Sequence, residues 1–113
     1  MAIDLKNGVL RDGRIIGNIK NGVIRKSSSS SPGAGTILGN VKNCIIRRGS
    51  SSSIGSGTVI GNVKAGVIRK GSSSSSGSGT TIGKVNDIEI KGISDVAESE
   101  AVAMYHFLVE EIF

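Results

Sequence analysis

The sequence predicts a mainly β protein, built from repeated β-hairpins and ending in one α-helix. The first observation is a repeated phrase that places Gly17, Gly39, Gly61 and Gly83 at intervals of 22 residues. The second is the alternation of Ile and Val with polar residues on either side of two-residue turn signals, which is typical of β-hairpins. The third is a change to helical spacing of apolar residues near the C-terminus.

Each repeat reads as a strand, a tight turn and a second strand. The Asn-Gly pairs suit the positive φ that both central residues of a type I′ turn need. The turn signals are Asn7-Gly8, Asn21-Gly22, Asn43-Cys44, Ala65-Gly66 and, closing the last hairpin, Asn86-Asp87. Cys44 replaces a glycine, so we expect an adjusted or strained turn there. In the second and third repeats we predict strands at Thr36–Lys42, Ile45–Arg48, Thr58–Lys64 and Val67–Lys70.

The glycine inside every first strand indicates a β-bulge or the close approach of another part of the chain. Because four copies share it, we infer that the hairpins meet near a common axis. Alternation along the strands further predicts that each hairpin has one apolar face and one basic face.

Serine-rich inserts separate the hairpins at residues 27–35, 50–57 and 72–79. They are polar and flexible in composition, but their near-equal length argues against random linkers. A symmetric assembly of hairpins would produce equivalent loops of this kind. A short β-solenoid with 22 residues per coil is the alternative geometry.

The C-terminal segment predicts one amphipathic helix over residues 95–112, beginning with the capping-box-like spacing of Asp95 and Glu98. Ser99, Ala103, His106 and Glu110 fall on its mostly polar stripe. We therefore divide the chain into a hairpin repeat domain, 1–92, and a C-terminal helix, 93–113. The helix is expected to pack on the repeats or at an interface between copies.

The repeated pattern Gly-x-Ile/Val-Arg-x-(loop)-x-Ile-Gly-x-Ile/Val resembles the four-fold β-flower repeat proteins of bacteria. Chains of that family tend to end in Ala-Val followed by an aromatic stretch, which corresponds here to Ala101-Val102 and the residues up to Phe107. The resemblance implies a petal-like, pseudo-symmetric arrangement of hairpins. It implies no known activity, so no site residue is carried over. The serine inserts and the acidic helix depart from the family pattern.

Composition limits the classes of protein that this chain could be. With 113 residues and 3% aromatic residues, it is one small domain whose core must come from Ile, Val and Leu. One cysteine, Cys44, excludes a disulfide within the chain. We see neither a signal peptide nor an apolar run long enough for a membrane helix, so we expect a cytoplasmic protein without a membrane partner.

The sequence does not predict an enzyme. His106 is the only histidine, and no Cys or Ser stands at a spacing that it would activate. No cluster of His, Cys or carboxylates suits a metal, and no phosphate-binding glycine loop suits a nucleotide, so we expect no cofactor. A non-enzymatic structural or assembly protein that forms a homo-oligomer is the interpretation that the repeats favour.

A repeated basic pair is the main candidate for ligand binding. It consists of Arg25 and Lys26, Arg47 and Arg48, and Arg69 and Lys70. Arranged about an axis, these pairs would form a belt that could bind an anionic ligand such as polyphosphate, nucleic acid or an acidic glycan. The repeats lack aromatic side chains that stack on bases, which argues against nucleic acid. The competing interpretation is a solvated strand face whose charges prevent edge-to-edge aggregation.

The charges are also divided along the chain. All 14 Lys and Arg residues precede Ile93, whereas five of the nine acids follow it. A basic body and an acidic tail can neutralise one another within an assembly, which is the alternative to an external anionic partner.

Overall fold

The computed structural model describes residues 3–75, 77–88, 90–92 and 96–113. It is a mainly β protein, with a nine-stranded antiparallel open sheet and one short C-terminal helix. The strands are neighbours in chain order, from β1 to β9. Their bounds are β1 Ile3–Lys6, β2 Val9–Asp12, β3 Arg14–Lys20, β4 Val23–Lys26, β5 Thr36–Lys42, β6 Ile45–Arg48, β7 Thr58–Lys64, β8 Val67–Lys70 and β9 Thr80–Lys84. Helix α1, Glu98–Met104, continues as a π-helical turn, Tyr105–Val109.

The four strands predicted for the second and third repeats are confirmed as β5 to β8. Four of the five predicted two-residue turns are also confirmed, since both central residues have positive φ, for example 52° at Asn21 and 80° at Gly22. Cys44 keeps a φ of 68°, so the turn retains its shape, and a side chain occupies the left-handed region that favours glycine. The β-solenoid alternative is wrong. In a solenoid, equivalent strands of successive coils pair in parallel, whereas the nine strands here pair antiparallel with their neighbours in the chain.

The two faces of the sheet differ in what covers them. On the inner face, defined as the one against α1, the strands supply one apolar residue after another to a single core. These residues are Leu5, Leu10, Ile19, Ile24, Val41, Ile46, Val63 and Ile68, and they cluster with Val102, Ala103 and Met104 of the helix. Because residues from β1 to β8 meet the same short helix, the sheet curves around it.

The predicted amphipathic helix is wrong in length and in its polar stripe. Helical structure ends at Val109, and Asp95, its predicted start, lies outside the described residues. Ser99, Ala103 and His106 are at most 4% exposed, whereas Glu98 is exposed at the start of the helix and Glu110 is exposed just beyond its end. Five of the seven residues of α1 are buried, so the helix has no solvent-facing stripe along its length.

The repeated glycines leave room for the C-terminal segment. A Cβ atom on Gly17 would lie 2.5 Å from the Leu108 side chain, and Cβ atoms on Gly39 and Gly61 would overlap the rings of Phe107 and Phe113. Each would also meet the carbonyl oxygen of a residue in the next strand. The predicted close approach is therefore made by side chains of the C-terminal segment.

A bulge precedes each of these glycines. Leu10 lies opposite Gly17 but Arg11 lies opposite Ile15, so Ile16 is the extra residue. The same shift recurs at Leu38, Ile60 and Ile82. Bulges bend a strand and increase its twist, which suits a sheet that must curve around a helix.

The last predicted hairpin is wrong. Asn86-Asp87 lies in a 3₁₀ turn, Val85–Asp87, and does not form a two-residue hairpin turn. Among the residues described after it, Lys91 pairs in parallel with β1, where Leu5 N–H donates to the Lys91 carbonyl at 2.7 Å. Asp87 instead accepts a hydrogen bond from the backbone N–H of Lys84, at the end of β9.

The serine-rich loops are held against the outer face by buried asparagines. Asn40 accepts a hydrogen bond from Gly55 N–H at 3.0 Å and donates one to the Ser56 carbonyl at 2.9 Å. Asn18 and Asn62 make the same pair of bonds to the loops 27–35 and 72–79. The three asparagines are at most 1% exposed. The loops are flexible in composition, and these bonds fasten each one at its turn.

The asparagine and the loop occur together. Val9, Val23 and Ile45 lie opposite Asn18, Asn40 and Asn62 on the outer face, and all three are buried although they are outside the main core. In β9 the equivalent position is Lys84, after which no serine insert follows. Val67, opposite Lys84, is only half-buried. The apolar residue opposite is therefore buried wherever an asparagine clamps a loop, and it is less buried where the asparagine and the loop are missing.

Gly39→Ala is expected to lower the free energy of unfolding by about 1–3 kcal/mol, because the new methyl group overlaps Phe107 and a backbone carbonyl. Gly83→Ala is the matched control, since its Cβ would lie 3.4 Å from the nearest atom, Asp87 Oδ2. We expect that variant to change stability by less than about 0.5 kcal/mol. Urea unfolding measures both, and equal losses would contradict the packing role of the glycine.

Asn40→Ala is expected to cost about 1–3 kcal/mol, because it leaves Gly55 N–H and the Ser56 carbonyl without their partner. Amide hydrogen exchange should accelerate in the loop 50–57 and remain slow in the loop 72–79. Lys84→Ala, at the equivalent position without a loop, is the control and should leave both loops unchanged. Unaltered exchange at Gly55 in the Asn40 variant would show that the clamp does not hold the loop.

Candidate anion-binding rim

The structure divides the six predicted anion-binding residues between two faces. Arg25 lies opposite Asn18, on the outer face, whereas Lys26 lies opposite Gly17, on the inner face. The other two pairs divide in the same way. The predicted single basic face is therefore wrong, because neighbouring residues in a strand point to opposite sides.

We name the two sets by their positions. The outer row consists of Arg25, Arg47 and Arg69, which are half-buried beside the clamping asparagines. The rim row consists of Lys26, Arg48 and Lys70, which are exposed at the ends of β4, β6 and β8. The rim row borders the C-terminal segment, since Arg48 Nη2 lies 3.3 Å from His106 Nε2.

Four clefts lined by described residues lie along the inner face, three at the start of β3, β5 and β7 and one at the second half of β9. Their volumes are about 420, 400, 490 and 320 Å³ respectively. Each is bounded by the bulge residue of its strand and by side chains of the C-terminal segment. Those side chains are Phe107 and Leu108 at β3, Phe107 at β5, Phe113 at β7, and Tyr105 and Ile112 at β9.

The clefts differ in charge. Glu111 lines the β5 cleft beside Arg48, and Asp87 lines the β9 cleft beside Lys84. The charged residues lining the other two clefts are all cations: Arg14 and Lys26 at β3, and Arg48 and Lys70 at β7. The β3 and β7 clefts thus combine an apolar floor with paired positive charges.

His106 organises the floor of the rim. It is 1% exposed, so its predicted position on a polar surface stripe is wrong. Its Nδ1 accepts hydrogen bonds from the backbone N–H groups of Ile112, at 2.9 Å, and Phe113, at 3.3 Å. The ring also makes edge contacts with Phe107 and Phe113. These contacts turn the chain back after Val109 and direct Phe113 towards Gly61.

The pKa of His106 is lowered from its ordinary value, first by burial and then by the positive charge of Arg48, while Glu111 opposes the shift. The imidazole is therefore neutral in the folded protein near pH 7. A proton on Nδ1 would break both backbone hydrogen bonds, so the ring acts as an anchor for the tail.

Other reactive groups do not join this site. Cys44 is an exposed free thiol at the tip of the turn between β5 and β6. Within the described ranges, no group of three or more His, Cys, Asp or Glu side chains is placed to hold a metal ion. In the same part of the chain, no helix is long and apolar enough to cross a membrane.

Sequence reasoning missed the residues that form the floors of the clefts. Phe107, Leu108 and Phe113 appeared only as parts of a helix, and their positions depend on the π-helical turn and the His106 anchor. The one available signal was the repeated bulge residue and glycine, which indicated that something approaches the strands closely. The sequence did not indicate what approaches.

Comparisons of the chain with protein-family models, with curated proteins and with solved structures return no match.

The stability of the protein is expected to fall by on the order of 1 kcal/mol between pH 7.5 and pH 5.5 because of His106. In this window the unfolded state, with an ordinary histidine pKa of about 6.5, takes up a proton that the folded state excludes. Stability is thus retained above the unfolded pKa and lost as the pH falls towards the lowered folded pKa. Denaturant titrations at both pH values measure the loss.

The control is His106→Gln, which removes the only histidine of the chain. This variant should be less stable at both pH values but should lack most of the pH dependence. An unchanged slope in the variant would mean that other groups cause the loss.

Proposed function

We propose that this protein is a non-enzymatic binding protein that takes up anionic ligands along its rim row. The observation that carries the proposal is the repeated placement of an exposed cation, Lys26, Arg48 or Lys70, beside a cleft on the inner face. Clefts bordered by exposed cations focus the positive electrostatic potential and attract anions. The outer row is less suited to this role, because its side chains are half-buried beside the loops.

The fold that we propose for this role is a pseudo-symmetric β-flower, with the hairpins as petals around α1. Its support is the equivalence of the registers, since Gly17, Gly39 and Gly61 each lie opposite the rim cation of their own hairpin. Such an arrangement presents the rim cations of three hairpins to the same side of the molecule, whereas the first hairpin carries Asp12 at the equivalent position. The four-fold β-flower family resemblance remains a hypothesis on this basis.

Self-association stays a prediction and is our second candidate function. In its favour, β9 has a strand neighbour on one side only within the described sheet, and its Ile82 is 40% exposed. Against a strict need for a partner, the chain exposes 5897 Å². A monomer of its mass exposes about 5,800 Å². Binding is therefore the function that we favour, and a cytoplasmic location remains an expectation.

The proposal is tested by two triple variants that remove the same charge from opposite faces. Lys26, Arg48 and Lys70 are replaced by Gln in the rim variant, and Arg25, Arg47 and Arg69 in the outer variant. On a heparin column, the rim variant should elute at a clearly lower salt concentration than the wild type. The outer variant should remain close to the wild type, because its side chains are half-buried beside the loops and do not border a cleft.

Thermal unfolding of both variants controls for loss of structure. Equal losses of retention would indicate a response to net charge alone and would contradict a site on the rim. Unchanged retention of the rim variant would also overturn the proposal.

A further inference from the structure

The β7 cleft combines an apolar floor with paired cations, as the β3 cleft does, and is the larger and more apolar of the two. Val59, Ile60 and Phe113 form apolar walls and floor, while Arg48 and Lys70 stand at its edge with Ser72. Its volume of about 490 Å³ is the largest of the four. Sites for small molecules usually measure about 300–1,000 Å³ and are mainly apolar, with a few polar groups that fix orientation.

Two features argue that a ligand here would be an anion with an apolar body. An inorganic anion would use the cations but leave the surfaces of Ile60 and Phe113 in contact with water. A purely apolar ligand would leave two cations at the edge of a desolvated site, which is unfavourable. A molecule that has both parts satisfies the cations and covers the apolar surface at the same time.

The floor of the β7 cleft is preorganised for such a ligand. Phe113 is fixed by its backbone hydrogen bond to His106, by the edge contact between the two rings and by the space above Gly61. The bulge at Ile60 directs that side chain towards the same floor. A preorganised apolar floor avoids the entropy that a mobile site would lose on binding.

We propose that the β7 cleft binds a free amphiphilic anion, a small molecule with a carboxylate or similar head and a short acyl or aromatic body. The head lies at Arg48 and Lys70, and the body lies on Ile60 and Phe113. This inference rests on the proposed function, since both need the rim row to bind anions. It adds the chemical class of the ligand and assigns one cleft of the four.

The test is a titration of ¹⁵N-labelled protein with octanoate, below its micellar concentration, and with sulfate at the same ionic strength. Octanoate should shift the amide signals of Ile60, Gly71 and Phe113 in a saturable way. Sulfate should bind at least tenfold more weakly at these residues. Lys70→Gln should weaken octanoate binding about fivefold to tenfold, since it removes one of the two cations.

Arg69→Gln is the matched control, because it removes the same charge from the adjacent residue on the opposite face. Its octanoate affinity should equal that of the wild type, and equal weakening in both variants would overturn the inference. If sulfate binds as tightly as octanoate, the ligand class is wrong while the proposed function stands. If octanoate and sulfate both fail to bind and the rim variant is also retained like the wild type on heparin, both proposals are overturned.

Discussion

The missing Cβ atoms of Gly17, Gly39 and Gly61 are the constraint on which the rest of this structure depends. A side chain at any of these positions would occupy the volume filled by Leu108, Phe107 or Phe113. Because the glycines leave that volume empty, the C-terminal segment lies directly on the strands, and five of the seven residues of helix α1 are buried. The bulge before each glycine adds the curvature that lets the sheet surround the helix. Core, curvature and clefts thus follow from the same repeated position.

On the outer face, one buried asparagine holds each serine-rich loop against the sheet by two hydrogen bonds. The amide of Asn40 supplies a donor and an acceptor to a loop turn, so a serine-rich segment with few apolar residues still covers Ile and Val side chains. Where Lys84 replaces the asparagine, no loop follows and Val67 is more exposed. The chain therefore buries apolar residues on both faces of its sheet, which helps a protein with so few aromatic residues to reach the surface area of an ordinary monomer.

Strand geometry also decides where the positive charge lies. Adjacent basic residues cannot share a face, so Arg47 is placed among the loops and Arg48 at the rim beside His106. Of the six paired basic residues, only the three of the rim row line the clefts, and only the β3 and β7 clefts lack an acid among their lining residues. The proposed site thus uses only three of the 14 Lys and Arg residues of the chain. The uncharged His106 contributes to it indirectly, by holding the tail that forms the floor.

The sequence by itself determined the strands and turns, because these depend on local chemistry. The Asn-Gly pairs specify type I′ turns, and the alternation of Ile and Val specifies strands over Thr36–Lys42 and Thr58–Lys64. Tertiary structure alone decided the burial of His106, the early end of the helix and the pairing of Lys91 with β1. Each of these depends on which distant segment covers a given face, and no short-range pattern carries that information. The repeated glycine depends on both levels. Its spacing in the sequence predicted that another group approaches the strands closely, and the tertiary structure shows that this group is a Leu or Phe side chain of the C-terminal segment.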